Sequence, residues 1–206
     1  MTVRPCLAFR FSQPRRPAIL RIMSMVCLLA SAGFSASRPA DAASGPISEP
    51  VVIHDIVLAP GSTRDGEAFR AALSFYEFWN SGDREILSRA IAPTFADRTL
   101  PPGRPQGPAG PAVASEQFRA AVPDLRVVIE KMIVAGDYVT THMTFSGHFT
   151  GHFGPAGSGG VDGHGQAIAF RATDLVKVTD GLITDNWHIE DNLTLLRQMG
   201  IPADAP

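Results

Sequence analysis

The stretch Phe170–Arg–Ala–Thr–Asp–Leu–Val–Lys–Val–Thr–Asp–Gly–Leu–Ile–Thr–Asp–Asn–Trp–His–Ile–Glu–Asp–Asn–Leu–Thr–Leu–Leu–Arg–Gln–Met–Gly200 decides the fold. Two β-rich runs meet at Asp180–Gly181, a hairpin signal. A short amphipathic helix follows, with leucines at helical spacing. Asp174 lies in the first strand and His188 in the second, so register decides whether they meet. A two-residue turn at Asp180–Gly181 sets Thr173 opposite His188 and sends Asp174 to the other face. A three-residue loop, Thr179–Asp180–Gly181 with Gly181 left-handed, sets Asp174 opposite Asn186 and diagonal to His188 on one face. Diagonal neighbours sit ~7–8 Å apart, within reach of these side chains. The three-residue loop is the expected register.

Upstream, the period is first helical and then strand-like. Glu67 to Asn80 carries Phe69, Leu73, Tyr76 and Trp79 on one stripe, with Ala72 between. Gly82 suits a left-handed cap, and Asp83 caps a second helix, Arg84 to Ile91, which ends at Ala92–Pro93. Residues 100–112 are rich in Pro and Gly and read as loop. Ser115 is placed to cap a third helix that runs to Ala121 before Pro123. Strands then follow over Asp124–Val134, Tyr138–Phe149, Gln166–Val178 and Leu182–Ile189, with a glycine-dense connection from Gly151 to Gly165. Val51 to Val57 reads as an edge strand or an ordered arm. Helices first and a long antiparallel run after predict an α+β fold, with a curved sheet wrapped around the helices.

The N-terminal segment reads differently. Arg4, Arg10, Arg15, Arg16 and Arg21 precede an uncharged apolar run, Ile22 to Ala36, and then Ala40–Asp41–Ala42, an A-x-A cleavage pattern. That order predicts a signal peptide over residues 1–42, with Met23 or Met25 as other possible starts. The apolar run falls short of the ~20 residues that span a bilayer. The expected organisation is leader 1–42, linker and arm 43–65, and a domain over 66–201. The expected location is outside the cytoplasm, periplasmic or secreted.

Residues 1–42 hold six of the 18 basic residues and one of the 20 acidic ones. The remainder then has 12 bases against 19 acids, a net charge near −7. Such a chain is a poor partner for nucleic acid or an anionic membrane, which need basic patches. Both cysteines, Cys6 and Cys27, fall in the leader, so the mature chain has no disulfide, thiol nucleophile or cysteine metal site. His142, His148 and His152 have ligand-like spacing. However, Thr144 and Ser146 share the parity of the first two, which fits a solvated face, and no metal site is expected.

The element order resembles the SnoaL-like polyketide cyclases of the NTF2-like, cone-shaped α+β barrel superfamily. The residues that carry the likeness are Phe78–Trp–Asn–Ser–Gly–Asp83, Pro93–Thr–Phe–Ala–Asp97, Gly147–His–Phe–Thr–Gly151 and, most specifically, Val178–Thr–Asp–Gly–Leu–Ile183, Trp187–His–Ile–Glu–Asp191 and Leu195–Leu–Arg–Gln–Met–Gly200. The resemblance implies a ring-closing aldol reaction without cofactor or metal, and a homodimer formed through the sheet. It also implies a general base in the last strand and a helper in the strand before. Those positions are held here by His188 and Asp174, with the two residue types exchanged relative to the family pattern.

The catalytic candidates are therefore His188 as base and Asp174 as its orienting partner, a pair that moves protons near neutral pH. A buried Asp174 is expected to raise the His188 pKa and fix its tautomer. Asp97 and Asn186 are the candidates to hold a carbonyl or water, with Phe170 and Phe78 as apolar walls. The lead function is acid–base chemistry on a small apolar carbonyl compound. A ligand-binding protein on the same cone, without catalysis, is the first alternative, and a hydrolase or dehydratase is the second. Asp185, Glu190 and Asp191 are expected at a solvated rim and at the start of the last helix.

Overall fold

Helices occupy the first half and strands the second, as the change of sequence period requires. The computed structural model describes residues 50–154 and 160–202, all within one unit. The order is β1 (Val52–Ile53), β2 (Ile56–Leu58), α1 (Glu67–Ser81), α2 (Arg84–Ala90), β3 (Ile91–Asp97), α3 (Ala109–Ala121), β4 (Arg126–Ala135), β5 (Tyr138–Phe149), β6 (His152–Phe153), β7 (Val161–Asp162), β8 (Gln166–Thr179), β9 (Leu182–Glu190) and α4 (Asn192–Gln198). The leader and the first part of the linker lie outside the described residues, as do 155–159 of the glycine-dense connection. No described helix is long and apolar enough to cross a membrane.

The main sheet has the order β1-β4-β5-β8-β9-β3, with β2 also on β4. The central pairs are antiparallel, and the edge segments β1, β2 and β3 join in parallel. Even-numbered residues of β8 point inward and are buried, while most odd-numbered ones are exposed, the period-2 signature of a sheet with one dry face. Helix α1 lies on that face through Phe69, Ala72, Phe75, Tyr76 and Phe78. Each fully buried aromatic contributes ~1.5–3 kcal/mol by leaving water. Gly82 ends the helix at φ 73, a left-handed conformation that a Cβ resists. The Asp83 carboxylate then accepts from Glu85 N at 2.7 Å and starts α2.

Three sequence expectations are corrected here. Residues 91–97 form a strand, β3, although Pro93 reads as a stop. The strand is at the edge, its pairing with β9 shifts between Ile91 and Ala96, and Pro is tolerated at edges and bulges. Helix α3 starts at Ala109, not at a Ser115 cap, because Pro111 sits in the first turn, where no backbone N–H needs an intrahelical partner. Ser115 is buried inside the helix.

The third correction concerns the hairpin. Thr179 pairs with Leu182, so the turn has two residues, with Asp180 at φ 51 and Gly181 at φ 76. These are the angles of a type I′ turn, which matches strand twist. The register then shifts between Lys177 and Val178, whose partners are Asp185 and Ile183. Thr184 is therefore one extra residue in β9, a bulge. Past it, Asp174 faces His188 directly, and Asn186 faces Val176. The two residues share the inner face, as expected, through a different device.

Candidate active site

Adjacent positions across β9, β8 and β5 place His188, Asp174 and Thr141 in one inward-facing row. The parallel pair of β3 and β9 sets Asp97 opposite Asn186. Glu190, two residues past His188 on the same strand, points to the same side. Polar groups thus gather on the inner face at the β9 end of the sheet. The sequence pattern of β9, polar at 186, 188 and 190, was the available signal for Glu190. Proximity to the α4 cap hid it.

His188 is clamped by two carboxylates. Its Nδ1 lies 2.7 Å from Glu190 Oε1, and its Nε2 lies 3.1 Å from both Asp97 oxygens. Carboxylates only accept, so both ring nitrogens must donate, and the ring is an imidazolium. Its side chain is 7% exposed. Burial by itself would lower the His188 pKa, but the bonds and charges of Glu190 and Asp97 outweigh it and raise the pKa to about 9. The partners that orient the ring are therefore Glu190 and Asp97, not Asp174. Glu190 is lowered in turn: burial opposes its charge, and the bond to His188 prevails. Asp97 is itself held by Thr99, whose backbone N–H donates to Oδ1 at 2.9 Å.

Asp174 has a different environment. It is buried, and its carboxylate accepts from the Tyr76 hydroxyl at 3.3 Å. Burial pushes its pKa up to about 7, with the His188 charge pulling the other way. Tyr76 is completely buried behind it and is raised well above its usual range by burial and by the Asp174 charge. Asp174 is thus a carboxyl group that changes protonation near neutral pH beside a fixed positive charge. That is the tuning expected of an acid–base residue.

A cavity of about 290 Å³ opens on this row. Asp97, Asp174, Asn186, His188 and Glu190 line its polar end. Asn186 Oδ1 is buried without a hydrogen-bond partner among the described residues, an acceptor left for a ligand or water. The apolar wall centres on the cross-strand pair Phe145 and Phe170, stacked at 5.3 Å and 12°. Phe118 and Trp79 stand edge-on to these rings at 5.7 Å. Phe170 is therefore a cavity wall, as expected. Phe78 is not: it packs in the core against Phe75 at 6.4 Å, and Phe75 and Trp79 supply the α1 side of the wall.

The other histidines lie elsewhere. His142 bonds Thr173 on the outer face at 2.8 Å, and His148 pairs with Asp124 at 2.7 Å. Asp191 caps α4 by accepting from Thr194 N, and Asp185 pairs with Arg98, both as expected of a rim.

Residues 69–199 match the model of the SnoaL-like polyketide cyclases. The chain belongs to that family. A candidate polyketide cyclase from Bacillus cereus ATCC 10987 is 35% identical, over 76% of this chain and 97% of that one, with a TM-score of 0.64. IdmH, a candidate polyketide cyclase from Streptomyces antibioticus, is 28% identical over 66% of this chain and 100% of its own, with a TM-score of 0.56. A Catenulispora acidiphila protein with a ketosteroid isomerase-like fold, 20% identical over 66% and 96% at a TM-score of 0.51, shares the fold. Comparison with curated proteins gives no match. The NTF2-like cone expected from the sequence is thus the fold of this SnoaL-like chain, and the likeness supports a cyclase-type function. Asp174 and His188, the two positions that the likeness singles out in the sequence, both have raised pKa values and both line the cavity.

Proposed function

We infer that this SnoaL-like protein carries out acid–base chemistry on a small, largely apolar carbonyl compound, with its own side chains as acid and base. The observation that carries this is the buried Asp174 facing the His188 imidazolium at the polar end of an aromatic cavity. In the deprotonated state Asp174 removes a proton from the carbon beside the carbonyl. The C–H electron pair moves into the enolate, and the proton stays on the carboxyl group. The His188 charge stabilises the enolate oxygen from the same end of the cavity. The enolate carbon then attacks a second carbonyl in a ring closure, whose alkoxide takes the proton back from Asp174, or a conjugated enolate receives that proton at a different carbon in an isomerisation. The proposed pair is the one expected from the sequence with its roles exchanged: both His188 nitrogens are taken by carboxylates, so Asp174 is the base and His188 supplies the charge.

The test is exchange of α-hydrogens for deuterium in D₂O, followed by NMR on a simple aryl ketone. The wild type should exchange them and Asp174→Asn should not. Exchange that persists in the variant would reject Asp174 as the base.

A specific observation favours a second reading, a binding protein without turnover. Both His188 nitrogens are already engaged by carboxylates. In that case ligand binds, no exchange occurs, and Asp174→Asn changes affinity only modestly.

Export follows from the sequence pattern of residues 1–42. N-terminal sequencing of periplasmic material should find a chain that starts near Ala43, whereas full-length protein in the cytosol would remove this claim. For the homodimer, the outer face supplies the exposed neighbours Leu175 and Ile189, Ile189 being 76% exposed. Ile189→Lys should shift the mass in light scattering from dimer to monomer.

A further inference from the structure

Arg104 stands at the rim of the cavity, the one Lys or Arg among the residues that line it. It comes from the Pro/Gly-rich loop between β3 and α3, which sequence composition marks only as loop. Two left-handed glycines shape that loop, Gly103 at φ 82 and Gly107 at φ 78. Gln106 fastens it to β3: its amide accepts from Asp97 N at 2.8 Å and donates to Asp97 O at 2.9 Å. The same residue that bonds His188 therefore anchors the loop that carries Arg104. Arg104 is half-buried, yet among the described residues its guanidinium makes no hydrogen bond. It acts on Glu190 only through charge, and Glu190 is already bonded to His188. The guanidinium donors thus remain available at the mouth.

The cavity is polar in opposite senses at its two ends. The inner end holds three carboxyl groups, Asp97, Asp174 and Glu190, against one imidazolium, together with the unpartnered acceptor Asn186 Oδ1. Glu190 and Asp97 already take both N–H groups of His188, so a substrate carboxylate finds no free donor at this end and is drawn outward to Arg104, while the enolate oxygen draws only on the nearby His188 charge. A guanidinium presents a planar fork that matches a carboxylate in bidentate fashion. A volume of about 290 Å³ is at the small end of ligand pockets, roughly 300–1,000 Å³, so the body between the two ends is one or two rings. We propose that Arg104 determines specificity by holding a carboxylate at the outer end of a small aryl keto acid, so that its carbonyl end enters toward Asp174 and the His188 charge. The inference rests on the carbonyl acid–base reading above and adds the substrate class and orientation to it.

The test compares 4-acetylbenzoate, whose ring separates the carboxylate from the ketone, with its methyl ester by calorimetric titration, in the wild type, Arg104→Gln and Arg104→Lys. The wild type should prefer the acid. That preference should fall about tenfold in Arg104→Gln, be partly kept in Arg104→Lys, and weaken with added salt. Equal binding of acid and ester by the wild type, no binding of either, or an unchanged preference in Arg104→Gln would overturn the proposal. Deuterium exchange on the same two compounds separates it from the catalytic reading. Discrimination without exchange keeps the anion site and rejects catalysis, while exchange without discrimination does the reverse.

Discussion

Asp174 and His188 are direct partners in the β8–β9 ladder because Thr184 is an extra residue in β9. Without that bulge, the two-residue turn at Asp180–Gly181 would bring Thr173 opposite His188 and turn Asp174 to the outer face. A one-residue shift in register moves every side chain of a strand to the opposite side. The bulge is therefore what lets a tight turn and an inward-facing pair coexist.

The turn itself makes the first prediction. Gly181 has φ 76, a conformation that β-branched residues resist. Gly181→Val should destabilise by ~1 kcal/mol or more. Urea titration should show this as a lower midpoint at unchanged slope. An unchanged midpoint would mean that the turn tolerates another conformation.

A second prediction concerns stability and Asp174. Its folded pKa is raised from 3.8 to about 7, so the folded chain holds the proton more tightly than the unfolded one. The group's contribution to stability is then greatest below pH 3.8 and declines as pH rises to about 7, where the buried carboxylate becomes charged. Asp174→Asn should be close to neutral near pH 4 and stabilising above pH 7, by on the order of 2–4 kcal/mol. Thermal melts across that range check it. A variant less stable than the parent at pH 8 would show that the carboxylate is a structural tie.

His188 has the same sign of pH dependence in a higher window. Its folded pKa, raised from 6.5 to about 9, means a stabilising contribution fully present below pH 6.5 and lost as pH rises through 9. Glu190→Gln removes a hydrogen-bonded negative neighbour, so the His188 pKa should fall. NMR titration of the imidazole reads this directly. A His188 that still titrates near 9 in the variant would assign the effect to Asp97 alone.

The class of fold was legible because periodicity and punctuation agreed. The stripe of α1, the Gly82 cap, the Asp83 cap and the alternation of β8 each express a local rule. The gathering of Asp174, His188, Asp97, Asn186 and Phe170 around one cavity was likewise legible, with family likeness and strand parity pointing the same way. What was not legible depended on tertiary context. Pro93 conceals β3 because an edge strand tolerates it, and Pro111 conceals the start of α3 because a first turn does. The Thr184 bulge leaves no compositional mark, so the expected loop had the wrong length. Phe78 and Phe75 sit on one helical stripe, and only packing tells which reaches the cavity. Glu190 and Arg104 are charged residues of a kind normally assigned to solvent. Their places on the cavity wall depend on the strand end and on the loop fastened by Gln106.

The central claim is that Asp174 is the proton acceptor beside a His188 that stays charged at neutral pH. Its most direct test is the pH profile of α-hydrogen exchange on a bound aryl ketone, in the wild type and in Asp174→Asn. The rate should rise through an apparent pKa near 7 as Asp174 ionises and fall above about 9 as His188 loses its charge. Asp174→Asn should lower the plateau by ~10²–10⁴-fold and remove the rising limb. A variant that keeps that limb, or loses less than about tenfold in rate, would contradict the account.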